Sequence, residues 1–162
     1  LRKEDITMKY ISWLNQSEVM KLTEQNSNSH DQSSTEEFVD TCFLNEDTFL
    51  FGIFFKKDHI GNIKLGPINF THQIADVSYV IGDREFWGRG IATIVIKAIV
   101  NFGFNELNLY KINAGTYENN IGSIKALQKC GFSQEGLFLD EINFQGDRIN
   151  SLRFGFINSS SK

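Results

Sequence analysis

The chain is 162 residues long, with a formal net charge of −4, 41% apolar residues and 22% charged residues. That size favours one domain burying roughly 68–70% of its unfolded surface, and the mild acidity excludes the basic footprint that nucleic-acid binding requires. No apolar run reaches the ~18 residues a membrane-crossing helix needs, so neither nucleic acid nor membrane is an expected partner. The N-terminus lacks a signal-peptide pattern, and the cytoplasm is the expected compartment. Because the first residue is Leu1 and not Met, part of a native N-terminus is expected to be missing.

Asp5 to Leu14 sets Ile6, Tyr10, Trp13 and Leu14 at helical spacing, with Asp5 as the expected N-cap. Glu18 to Leu22 reads as a short helical turn, and the polar, aperiodic Gln25 to Ser34 as a mobile loop. Ser34 and Glu37 form a capping-box pattern before a helical stripe of Phe38, Val39, Cys42 and Phe43. From Thr48 the period changes. Phe49 to Phe55 reads as a buried strand, and Ile60 to Ile68 as a second one, with Pro67 implying an edge or a bulge. Ile74 to Ile81 alternates, with Ala75, Val77, Tyr79 and Ile81 on one face and Asp76 and Ser78 on the other. Cys42 and Cys130 read as buried reduced thiols; His30, His59 and His72 have no metal-ligand spacing, so no metal is expected.

Phe86 to Thr93 then joins this strand to a helix running to about Phe104. Gly88, Gly90 and Ala92 remove side-chain bulk where a loop becomes a helix, which aims unpaired N–H groups at one spot at the positive end of a helix dipole. That is an anion site, with phosphate its usual occupant and Arg84 and Arg89 as nearby cations. The helix carries Ile91, Ile94, Val95, Ile96, Ala98, Ile99, Val100 and Phe102, apolar almost all round, and is expected to be buried. A dinucleotide fingerprint needs a third glycine where Thr93 stands, and a nucleotide P-loop needs a G-K-[ST] that is absent. Downstream, Lys111 to Tyr117 is an expected strand and Asn120 to Cys130 a helix stopped by Gly131. Ser133 to Phe144 and Asp147 to Ile157 read as a hairpin about Gln145-Gly146-Asp147.

The order Trp87-Gly88-Arg89-Gly90-Ile91-Ala92 resembles the pyrophosphate loop of the GCN5-related N-acetyltransferases (GNAT), written (Q/R)-x-x-G-x-(G/A). Gly90 and Ala92 fill the two small positions, and Trp87 stands where Gln or Arg is usual. The W-G-x-G-x-A form is similar to the Rim-type branch, which holds ribosomal-protein N-terminal acetyltransferases and small-amine relatives. A second stretch resembles that family's N-x-x-S-x-x-x-x-x-K-x-G-F segment, matched by Asn120, Ser123, Lys129, Gly131 and Phe132. The resemblance covers nearly the whole chain. It implies an α/β fold of mixed α+β sheet type, the acyl-CoA N-acyltransferase fold, whose central strands splay so that acyl-CoA wedges between them. One domain over 1–158 with a disordered tail at 159–162 is expected.

In such a fold the backbone of Tyr79, Val80 and Ile81 would bond the acetyl and pantetheine groups. Trp87, Gly88, Arg89, Gly90, Ile91, Ala92 and Thr93 would form the pyrophosphate loop, with Lys129 among the cofactor-binding residues. Asn120 would contact the pantetheine, and Ser123 would lie near the thioester sulfur as the acid. For the base the resemblance implies Glu141 first, with Asp140 pointing the opposite way by strand alternation, and Asp76 second; Tyr117 is a fallback acid. Acetyl-CoA and an amine acceptor (an amino sugar, a polyamine or a protein N-terminus) are the expected partners of a monomer or homodimer. A carboxylate base is called for because a lysine-like amine with a pKa of about 10.4 costs about 4 kcal/mol to present neutral near pH 7.4. The alternative from another class is a CoA-binding module without catalysis, a sensor or assembly subunit. It would keep the glycine turn and need neither Ser123 nor a carboxylate.

Overall fold

The computed structural model describes residues 1–23 and 29–159. In chain order these form α1 (Met8–Leu14), α2 (Ser17–Met20), α3 (Gln32–Leu44), β1 (Phe49–Phe55), β2 (Asp58–Asn69) and β3 (Ile74–Ile81). Then follow α4 (Ile91–Asn105), β4 (Lys111–Tyr117), α5 (Ile121–Lys129), β5 (Ser133–Phe144) and β6 (Asp147–Ile157). The strands make one mixed sheet in the order β1-β2-β3-β4-β6-β5. Its one parallel pair is β3 with β4, and α4 supplies the crossover that a parallel pair requires.

The parallel pair in this sheet is short. β3 and β4 pair at Ile74 with Lys111, Ala75 with Ile112 and Asp76 with Asn113, and no further. Beyond that point β3 stays bonded to β2 through Ile81, and β4 to β6 through Tyr117. The sheet therefore opens along its middle, as the expected splayed strands require.

Helices cover both faces. Ala75, Val77, Ile112 and Ala114 share an apolar layer with Ile96, Ile99 and Val100 of α4 and Ala126 and Leu127 of α5. On the opposite face Tyr10, Trp13, Val19, Met20 and Val39 form a smaller cluster beneath α1 to α3, with Val80 packed against it.

Several local expectations are corrected. Thr7, not Asp5, caps α1, its hydroxyl accepting from Tyr10 N; Asp5 closes a preceding 3₁₀ turn by accepting from Arg2 N at 2.8 Å. The second turn of helix is Ser17–Met20. Asp31 caps α3 with Ser34 as its reciprocal partner, so the helix begins before the Ser34–Glu37 box. Of the loop expected over Gln25 to Ser34, residues 25–28 lie outside the described residues, as do 160–162 of the expected tail. β1 is an edge strand and not a buried one, with Phe51, Phe54 and Phe55 all exposed. β2 is interior, and Pro67 marks a bulge between Leu65 and Ile68. α4 is not buried all round: Ile96, Ile99, Val100 and Gly103 face the core, while Ile94 is 63% exposed.

The closing hairpin turns at Gln145-Gly146, both with positive φ, in the two-residue geometry whose twist matches antiparallel strands. β5 does not alternate throughout. Phe138 pairs with Ser151 and Ile142 with Ile149, so Leu139, Asp140 and Glu141 bulge out, with Asp140 at φ +52°. The expectation that Asp140 and Glu141 point oppositely assumed a regular pleat, which this bulge removes.

Candidate active site

The glycine turn meets α4 where β3 and β4 part. Gly88 and Gly90 have φ of +72° and +77°, the left-handed region that glycine enters without strain, and Gly90 is the N-cap of α4. A Cβ built on either would meet nothing within 4 Å, so their inner surface faces open space. Among the described residues, no amide from Gly88 to Thr93 donates to a protein acceptor; the first main-chain bond of the helix is Ile94 N to Gly90 O at 3.2 Å. These donors sit at the positive end of a long helix, an arrangement suited to a diphosphate.

Side chains brace this turn. The Trp87 indole N–H donates to Ile81 O at 2.7 Å, tying the turn to the end of β3. Trp87 thus does structural work here, and the Ile81 carbonyl is already occupied. Arg84 lies over the Trp87 ring and Arg89 over the Phe86 ring, at 5.6 and 5.3 Å from the centroids. Cys130 Sγ reaches Thr93 O at 3.4 Å, which pins the end of α5, where Lys129 lies, to the first turn of α4. Both cysteines are buried free thiols, and burial raises the pKa of each.

On the other side of the opening stands α5. Asn120 caps it, with Oδ1 accepting from Ser123 N at 3.1 Å, which leaves the amide NH₂ of Asn120 for other partners. Ser123 Oγ is 2.7 Å from the hydroxyl of Tyr79, a bond that joins β3 to α5. Burial raises the Tyr79 pKa, and the Ser123 hydrogen bond offsets part of that rise. Hydrogen bonds therefore link Tyr79, Ser123 and Asn120, while Trp87 ties the glycine turn to Ile81 at the end of β3.

The two carboxylates are a different matter. Glu141 is exposed on the β5 bulge, and its contact there is the main-chain oxygen accepting from Arg148 at 3.4 Å. Asp76 is exposed at the last paired position of β3, before the strands part. No hydrogen bond or ion pair joins either to Tyr79 or Ser123 among the described residues. Two surface concavities lie elsewhere. One of about 340 Å³ is walled by Leu1, Cys42 and Phe49; one of about 560 Å³, beside Pro67 and Phe70, includes Asp76. Neither includes Tyr79, Ser123 or Gly90, and open shape alone does not gather convergent polar groups.

Two features escaped the sequence. The Tyr79 hydroxyl is one, although its place on the inward side of the Ala75–Val77–Tyr79 alternation was a signal. The other is Glu118, whose carboxylate accepts from Asn150 N and Nδ2 at 2.8 and 2.9 Å, while Asn150 Oδ1 accepts from Asp140 N at 2.9 Å. That chain anchors the bulge bearing Glu141 to the end of β4. Among the described residues no group of His, Cys, Asp or Glu is arranged to hold a metal, and no helix is long and apolar enough to cross a membrane.

Comparison with known proteins agrees with this fold. A family profile described as an acetyltransferase (GNAT) domain matches residues 1–133. The chain belongs to that family. A probable N-acetyltransferase of Bacillus subtilis, YjcK, is 34% identical over 104 residues, covering 62% of this chain and 57% of the relative. The spermidine N(1)-acetyltransferase of Escherichia coli is 34% identical over 93 residues, covering 57% of this chain and 50% of the relative. The matched stretch thus spans about half the length of these curated relatives. Among solved structures, a spermidine N-acetyltransferase from Vibrio cholerae in complex with CoA and spermine superposes with a TM-score of 0.81 at 23% identity, covering 92% of this chain and 88% of that one. A probable acetyltransferase superposes with a TM-score of 0.86 at 19% identity, covering 99% of this chain and 91% of that one. At these identities the superpositions establish the fold.

Proposed function

We propose that the chain transfers an acetyl group from acetyl-CoA to a primary amine of a small polyamine-type acceptor. The observation that carries this reading is the parting of β3 from β4 after Asp76 and Asn113, beside the unpaired amides of Gly88 to Thr93. The open space before Gly88 and Gly90 fits a diphosphate, and the amides from Gly88 to Thr93 would hold it, with Lys129 and the arginines adding positive charge nearby. Main-chain groups of Tyr79 and Val80, past the last β4 partner, and the Asn120 NH₂ would hold the pantetheine arm. When bound, acetyl-CoA supplies an acyl thioester.

The rest is work for this chain. The acceptor amine must lose a proton, and Glu141, or Asp76 as second choice, takes it directly or through water. The nitrogen then forms its bond to the acyl carbon, and the C–S electron pair goes to sulfur. The Ser123 hydroxyl donates to that sulfur. Donors aimed where charge develops contribute most of such rate enhancements.

The acceptor class rests on two supports. Relatives from Escherichia coli and Vibrio cholerae are named for spermidine. The bulge held by Glu118 also carries two exposed acidic residues, Asp140 and Glu141, of the charge that attracts a polycation. The Trp87 turn and Ser123 still resemble the Rim-type branch, and a protein N-terminus is the competing acceptor.

Thiol release from acetyl-CoA, measured against spermidine, an amino sugar and an N-terminal peptide, decides among them. Spermidine is expected to give the highest kcat/KM. Glu141→Gln is expected to lower kcat by about 100-fold, flatten its alkaline rise and leave CoA affinity unchanged by calorimetry. An unaltered pH–rate profile removes Glu141 from the role. Normal CoA binding with no thiol release from any amine would identify a non-catalytic CoA-binding module instead.

A further inference from the structure

We propose that Tyr79 is a positioning residue: its phenol donates to Ser123 Oγ at 2.7 Å and so leaves the serine's own hydrogen for the opening between β3 and β4. This rests on the acetyltransferase reading, in which Ser123 faces the leaving sulfur, and it adds a residue that reading does not contain.

The argument is a count of hydrogens. Each hydroxyl carries one, and a bond between two hydroxyls uses one of the two. If serine donated to the phenol, the serine would have nothing left for sulfur. The phenol's hydrogen would then be stranded in packed surroundings, because Ser123 Oγ is its one partner among the described residues. An unmade bond on a desolvated donor carries the full desolvation cost. The reverse arrangement strands nothing. Tyr79 is packed against the apolar layer under α4, whereas Ser123 stands in the first turn of α5. The phenol also remains protonated, since burial moves its pKa above the ordinary value of 10.0. It is therefore a lasting donor and not a proton reservoir.

Ser123 is held from a second side. Its main-chain N–H is fixed by Asn120 Oδ1, so the cap sets where the serine stands and the phenol sets which way its hydroxyl faces. Neither task requires Tyr79 to touch substrate.

The direction of the bond predicts the sign of the effect. Tyr79→Phe removes the donor, the serine hydrogen is free to turn elsewhere, and kcat for thiol release is expected to fall about tenfold with the KM for acetyl-CoA within twofold of wild type. Ser123→Ala is expected to cost about 100-fold. In the Ser123→Ala background, Tyr79→Phe is expected to change kcat by less than twofold, because nothing remains to be oriented. A general structural role would give the same loss in both backgrounds.

The four proteins are compared in kcat and KM with whichever amine the wild type acetylates best, with CoA affinity by calorimetry and thermal midpoint as folding controls. A Tyr79→Phe variant as active as wild type, or more so, would mean that serine donates to tyrosine and overturns the inference. So would an equal loss in the Ser123→Ala background. A wild-type chain that binds CoA yet acetylates no amine overturns the acetyltransferase reading along with it. Active wild type with inert Tyr79→Phe behaviour overturns the positioning role alone.

Discussion

Beneath α4 and α5 the sheet buries an unbroken aliphatic layer, with Leu65, Ile96, Leu109, Ile112 and Leu127 each no more than 1% exposed. Beneath α1 the packing is aromatic and partly polar. Tyr10 stacks on Trp13 at 4.7 Å, both set edge-on to His59, and Phe54 stacks on the imidazole at 4.9 Å. His59 Nε2 lies 2.9 Å from Gly61 O and 2.8 Å from Asn62 Oδ1, two acceptors, so that nitrogen carries the proton. His59 Nδ1 and Trp13 Nε1 are buried without partners among the described residues. Burial also pushes the Tyr10 phenol up to about 12. The contrast separates two jobs. The aliphatic face packs α4 and α5 onto the sheet, while the aromatic face beneath α1 tolerates unsatisfied polar atoms.

Breaking the aliphatic face should have the largest effect. Ile96→Ala removes a side chain with no exposure from the middle of α4, and a loss of about 2–5 kcal/mol is expected in denaturant unfolding. A loss under 1 kcal/mol would show that this layer does not dominate the fold. Gly90→Val acts on binding instead. Positive φ strains a β-branched residue by about 1–3 kcal/mol, and its methyls would stand in the open space before the α4 amides. CoA affinity by calorimetry is expected to weaken by about 100-fold; unchanged affinity would remove the turn from the phosphate site.

The aromatic face is addressed by pH. Burial lowers the His59 pKa below its ordinary value of 6.5, so between the folded value and 6.5 the unfolded chain binds more protons. Stability then rises with pH in that window. It is fully present above pH 6.5 and is lost as pH falls through the folded value. Unfolding curves at pH 5 and 8 should therefore differ in wild type and converge in His59→Gln. An unchanged pH dependence in that variant would assign the acid sensitivity to the carboxylates.

How much of this was legible beforehand follows the range of the interactions. The glycine turn and the Asn120-capped helix depend on residues a few positions apart, and both stand as the sequence implies. So do the hairpin ends at Phe144 and Asp147, set by a two-residue turn. The cap of α3 was misplaced because Asp31-x-x-Ser34 and Ser34-x-x-Glu37 overlap, and main-chain geometry chose the earlier one. Phe49 to Phe55 looked buried because hydrophobicity says nothing of a strand's rank in the sheet. The facing of Glu141 was illegible for a sharper reason: one residue at φ +52° resets the side-chain alternation, and the Glu118–Asn150 bonds that hold it join residues distant in sequence.

The three rungs at Ile74, Ala75 and Asp76 join a β1–β3 leaf to a β4–β6 leaf, so the molecule is close to two plates sharing a short hinge seam. Whatever fills the gap acts as a strut, substituting for rungs the polypeptide leaves out. The width of that gap is then fixed less by any one side chain than by where the seam stops.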